Sequence, residues 1–149
     1  MDGIPTDAVP VEIEQDYLLS SSDVMRRVRK RSVYGEASYY YTEKRSGTRP
    51  GENAELERLI THWEYTLLRR EFDPAMQTVR KTRHCFAYGG HYMELDVFEL
   101  PTAHAGKIYL EVELLDLDDT VTIPAGWIVN DVTDVPGHSN YVLARKTAP

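Results

Sequence analysis

The stretch Val11-Glu12-Ile13-Glu14-Gln15-Asp16 sets Glu12 and Glu14 two apart in an apolar frame. In an extended strand, residues two apart point to the same side of the sheet. Two like charges on one strand face are ordinary if that face meets water. They need another explanation if it meets an interior.

The same spacing recurs along the chain. Arg29 and Arg31, Thr42 and Lys44, Glu55 and Glu57, Lys81 and Arg83, Glu94 and Asp96, and Glu111 and Glu113 each align at period two. Ile13, Leu56, Leu95 and Val112 fall between members of acidic pairs. Each pair sits in a segment rich in β-branched and aromatic residues, bounded by turn residues, which reads as a strand. The expected strands are 11–19, 25–33, 38–44, 54–61, 78–88, 91–99, 107–116 and 129–133. "YGG" ahead of His91 is a hairpin signal. "THWEYTLLRREF" (61–72) reads as a helix with Trp63, Leu67 and Leu68 on one stripe. "GHSNYVLARK" (137–146) reads as a short helix that Ser139 or Asn140 can cap. The expectation is a mostly β (α+β) chain, an eight-stranded antiparallel β-barrel or tunnel with a few flanking helices. Residues 1–10 read as a flexible leader and 11–149 as one domain.

At 149 residues the chain suffices for one core. No apolar run is long enough for a transmembrane helix, and the N-terminus lacks the basic and apolar regions of a signal peptide. The single cysteine, Cys85, excludes an internal disulfide framework, and a cytoplasmic protein is expected. A net charge of −7 argues against a general nucleic-acid binder. "RRVRKR" could be a basic patch, but Arg29 and Arg31 alternate as a lining strand would, with Arg26, Arg27 and Lys30 toward solvent. The five histidines form no convincing metal pair, and "LLDLDDTVTIP" fits no EF-hand spacing.

Two readings fit the charge pairs. In one, a sandwich turns its charged faces to water. In the other, the faces converge on a lumen that eight strands make just wide enough for one small ligand. Buried rows of both signs are costly unless each charge is paired. A polyanion with divalent metals would pair them, Arg and Lys on phosphate oxygens and carboxylates on Mg²⁺ or Mn²⁺. The paired set holds eight acids and five bases. Two metals and a triphosphate of roughly −4 to −5 would bring it within a few charges of neutral.

The order of pairs resembles the CYTH superfamily, the triphosphate tunnel metalloenzymes, whose signature is Glu-x-Glu-x-Lys on the first strand. "EIEQD" supplies Glu12 and Glu14, and "VRKR", "YTEK", "ELERLI", "VRKTR", "MELDVFE" and "GKIYLEVEL" follow in the matching order. The second half looks especially like CYTH-like domains attached to P-loop ATPases, although no Walker A motif is present. The resemblance implies a tunnel that binds a triphosphate and a metal-dependent phosphohydrolase acting on inorganic, nucleoside or thiamine triphosphate. It implies Mg²⁺ or Mn²⁺ on Glu12, Glu14, Asp96, Glu111 and Glu113, with Glu12, Glu14 and Glu113 catalytic. Phosphates would lie on Arg29, Arg31, Lys44, Lys81 and Arg83, and Glu55, Glu57 and Glu94 would line the tunnel. Asp16 stands where the signature has lysine, so a non-catalytic domain binding a nucleotide or phosphoinositide-type ligand is the alternative. A class IV-type adenylate cyclase ranks below both.

Overall fold

The computed structural model describes residues 3–47 and 53–147. Seven strands are present among them: β1 Val9–Leu18, β2 Val24–Val33, β3 Glu36–Ser46, β4 Asn53–Ile60, β5 Val79–Tyr88, β6 His91–Leu100 and β7 Ile108–Val112. They form one antiparallel sheet in the order β4-β3-β2-β1-β5-β6-β7. Two-residue loops close two hairpins. Tyr34 and Gly35 join β2 to β3, and Gly89 and Gly90 join β5 to β6, all four with positive φ. That conformation matches strand twist and explains the glycines.

The sheet differs from the expected eight-stranded barrel. It does not close, and β4 and β7 are its edges. Residues 129–133 form no strand. There the Asp131 carboxylate accepts from both the backbone N–H and the hydroxyl of Thr133. Such a local bond offers the backbone an alternative to a ladder.

Two short helices pack on opposite faces. α1, His62–Leu68, starts at a capping box in which Thr61 and Glu64 bond reciprocally. A 3-10 turn, Arg69–Glu71, follows it. α1 puts Tyr65, not the expected Trp63–Leu67 stripe, against the sheet, where Tyr65 joins Leu18, Val28, Tyr41 and Ile60. Trp63 is 75% exposed. Farther along this face, Phe86, Met93 and Leu95 are covered by Val121, Trp127, Ile4 and Ala8. Part of the segment read as a leader is therefore packed on the sheet.

α2, Asn140–Ala144, is capped by the Ser139 hydroxyl, which accepts from the Val142 N–H. Its Leu143 and Ala144 cluster with Tyr17, Met76, Val79 and Phe98 on the other face. No helix among the described residues is long and apolar enough to cross a membrane.

The register of β1 decides which charges share a face. Ile13 lies opposite Arg31 of β2 and Lys81 of β5, whereas Glu14 lies opposite Lys30 and Arg80. Paired residues project to the same side of a sheet. Val11, Ile13, Gln15 and Tyr17 thus belong to the α2 face, and Glu12, Glu14, Asp16 and Leu18 to the α1 face.

Asp16 is buried there between two donors, Arg69 Nε at 2.7 Å and Thr78 Oγ1 at 2.6 Å. Its place is structural: it ties β1 to the turn after α1 and to the start of β5. Asp16→Lys, which restores the signature residue, should set a buried cation against Arg69. It should destabilise the fold by more than about 3 kcal/mol in urea denaturation. Asp16→Asn keeps an acceptor for Thr78 and should lose about 1–2 kcal/mol.

Candidate functional site

Pairing across the sheet assembles one charged surface on the α2 face. Starting from Ile13, the register carries Arg29 and Arg31 on β2, Thr42 and Lys44 on β3, and Glu55 and Glu57 on β4. In the other direction it carries Lys81 and Arg83 on β5, Glu94 and Asp96 on β6, and Glu111 on β7. Glu113 follows one step beyond β7, its N–H bonded to the Tyr92 carbonyl at 3.0 Å. Six of the seven expected pairs therefore share this face.

The seventh does not. Glu12 and Glu14 lie on the opposite face, in a groove of about 250 Å³ lined also by Lys30, Arg80, Thr82 and Glu99. Arg80 grips Glu14 through Nη2 at 2.8 Å and Nε at 3.2 Å. These two carboxylates cannot meet the bases of the α2 face, because a sheet lies between them. The sequence invites the other frame because Glu-x-Glu alternates equally well either way. The apolar Val11 and Ile13, both buried, settle it.

The bases of β5 are held by carboxylates. Lys81 is 1% exposed, and its ammonium donates to Asp96 and, at 3.1 Å, to Asn140 Oδ1 of α2. Arg83 forks onto Asp96 through Nε at 2.7 Å and Nη2 at 2.8 Å. It also pairs with Glu94 and lies 3.7 Å from Glu111. Burial alone would raise the Asp96 pKa. The bonds from Arg83, with the charges of Lys81 and Arg83, more than reverse this and hold it below its ordinary value. Burial lowers the Arg83 pKa, and its carboxylate neighbours raise it well past normal. Lys81 is thus enclosed, and Arg83 is largely neutralised.

The bases of β2 are held differently. Arg29 donates through Nε and Nη2, both 3.1 Å from the Gln15 amide oxygen. Burial, then the charges of Arg27 and Arg83, pull its pKa down to about 10, so it stays protonated at neutral pH. Arg27, expected in solvent, is 9% exposed, and its Nε has no hydrogen-bond partner. It lies opposite Tyr17 on the α2 face. In the sequence, pairing the basic run from Arg29 leaves out the first member of the frame 27-29-31. Arg31 lies over the Tyr40 ring at 6.0 Å.

The β3–β4 wing is more exposed. Thr42 donates to Glu57 at 3.0 Å, and Lys44 reaches Glu55 at 3.5 Å in solvent. Across the face, three arginines on β2 lie between carboxylate-bearing strands on both sides. Cys85, opposite Glu94, is a free half-buried thiol.

In structure the chain is similar to the inorganic triphosphatase NE1496. The TM-score is 0.68 and the identity 26%, over 97% of this chain and 92% of that one. It is similar in fold to the PH1819 and PH1012 proteins from Pyrococcus horikoshii OT3. Each has a TM-score of 0.50, at 22% and 25% identity, covering 75% and 74% of this chain and 69% and 67% of theirs. No protein-family model and no curated protein sequence matches the chain. The fold is similar to that of an inorganic triphosphatase, and nothing in these likenesses supports attachment to a P-loop domain.

The metal set implied by the resemblance is only partly assembled. Glu12 and Glu14 are on the other face, and Asp96 is saturated by Lys81 and Arg83. Among the described residues no cluster of three or more His, Cys, Asp or Glu side chains is arranged to hold an ion. Glu94 and Glu111 do face each other across β6 and β7. Two carboxylates are hard oxygen donors of the kind that divalent cations take.

Asp96→Asn leaves two buried cations short of their counter-charge and should cost about 3–5 kcal/mol. Because the Asp96 pKa is depressed on folding, its stabilisation is present above its ordinary value of 3.8 and is lost as pH falls through the lowered value. Stability curves measured by chemical denaturation should therefore fall less steeply below about pH 4 in Asp96→Asn than in the wild type.

Proposed function

We propose that this chain binds a triphosphate on the α2 face and hydrolyses it. The observation that carries the reading is the row Arg27, Arg29 and Arg31. It is a buried to half-buried line of cations with no carboxylate opposite it on β1. A buried cation whose N–H groups lack acceptors is costly, and phosphate oxygens supply both charge and acceptors. The likeness to an inorganic triphosphatase over nearly the whole chain favours inorganic triphosphate as the ligand.

In such a site catalysis is mainly positioning and electrostatic stabilisation of the transferring phosphoryl group. Arg29 and Arg27 hold phosphate oxygens from below, and Arg31 reaches them from the more open part of the row. Arg83 acts mainly by orienting Glu94 and Glu111. Lys81 is enclosed and fixes Asp96 and α2. A divalent ion on Glu94 and Glu111, with Glu113 next in line, would supply Lewis-acid polarisation and a more acidic water. Glu12, Glu14 and Asp16 take no direct part.

A second reading, binding without turnover, is favoured by one observation: the two carboxylates that the signature makes catalytic face away. Phosphate release from tripolyphosphate with Mg²⁺ or Mn²⁺, measured beside calorimetric binding, separates the two. Turnover should drop about 10²–10³-fold in Glu94→Gln, Glu111→Gln and persist in Glu12→Gln, Glu14→Gln. Tight binding with no release establishes the second reading. Absence of both binding and thermal stabilisation by tripolyphosphate rejects both.

A further inference from the structure

We propose that Gln15, itself held by Tyr17, is a positioning residue that keeps Arg29 an un-neutralised cation for the phosphate ligand. This rests on the triphosphate reading above and concerns two residues that the charge pattern leaves out.

The chemistry fixes the arrangement. A guanidinium only donates hydrogen bonds, so the amide oxygen of Gln15 must face Arg29. Both Arg29 donors reach it at 3.1 Å. The amide nitrogen then points the other way and donates to the Tyr17 hydroxyl oxygen at 3.1 Å. Arg27 lies opposite Tyr17 on the neighbouring strand. Burial raises the Tyr17 pKa, so the phenol is neutral. Gln15 and Tyr17 are buried at 0% and 2% exposure. The result is a buried chain, Tyr17 to Gln15 to Arg29, in which a neutral oxygen grips the cation.

The contrast with β5 shows what this does. There Asp96 takes up Lys81 and Arg83 together and cancels much of their charge. An acid in place of Gln15 would do the same to Arg29. Glutamine supplies the acceptor that fixes the guanidinium without the charge that would quench it. The orphan Nε of Arg27, in a residue more than nine-tenths buried, is a second and independent sign that an acceptor is missing from the protein itself.

Gln15→Glu tests the point, with tripolyphosphate as the probe in calorimetry and melting of the ligand-free protein as the control. Losing one charge-assisted contact should weaken tripolyphosphate binding about ten- to a hundredfold. Ligand-free Gln15→Glu should melt at or above the wild-type temperature, because the new carboxylate pairs with Arg29. A glutamine with only a structural role would lower melting and binding together. Gln15→Met, close in volume and lacking the acceptor, gives the same test if Gln15→Glu does not fold, with about a tenfold loss of binding. Wild-type affinity in these variants overturns the positioning role while the triphosphate reading stands. If the wild type itself does not bind tripolyphosphate, both fall.

Discussion

Ile13 lies between Arg31 and Lys81, and the arrangement of charge follows from that register. Side chains alternate strictly along a strand, so a single buried apolar frame assigns every other residue of β1 to a side. Val11, Ile13 and Tyr17 fix the frame because they are bulky and find packing on the α2 face. Glu12, Glu14 and Asp16 go with the other frame. Neighbouring strands inherit the choice through the ladder. The bases of β2 and β5 converge, and no acid of β1 stands among them.

The α2 face is nearly balanced in total charge but uneven in its distribution. Its outer strands carry the carboxylates, and Arg27, Arg29 and Arg31 form a positive line between them. The pairs on β5 and β6 are mutually satisfied, so they add order without leaving charge to spare. A buried ion pair contributes little net stability and much specificity of arrangement when all its hydrogen bonds are made. Here Asp96 accepts from two bases and Asn140 takes a further ammonium donor, which docks α2 beside the pair. The unspent electrostatic attraction lies on β2, beyond β1, where the neutral Gln15 holds the Arg29 guanidinium.

Much of this was legible in the sequence. Period-two pairs located β1 to β7, and "YGG" located a hairpin. The matching of acidic and basic rows points to seven pairs on one face, and six of them share it. Three features were not legible, each for a physical reason. The side of Glu12 and Glu14 depends on which frame of β1 finds apolar partners, and those partners are remote in sequence. Arg27 reads as a solvent residue because nothing local marks the buried Tyr17 as its cross-strand neighbour. The eighth strand was expected from Val129 and Thr133, but Asp131 and Thr133 bond to each other instead. Asp16 shows the limit of a signature as well. Its departure from lysine reads as altered catalysis in sequence, whereas in the fold it anchors Arg69 and Thr78 on the other side of the sheet.

The edge strand β4 exposes every residue but Ile60. Little apolar area holds it down, so the free energy of local opening is lower there than near the fully buried Val28 and Val79. Glu55 and Glu57 ride on this edge, while the arginine row sits toward the middle of the sheet. The face therefore joins a rigid cationic half to a compliant anionic margin. An anion arriving at the arginines repels Glu55 and Glu57, and the strand that carries them is the one able to yield.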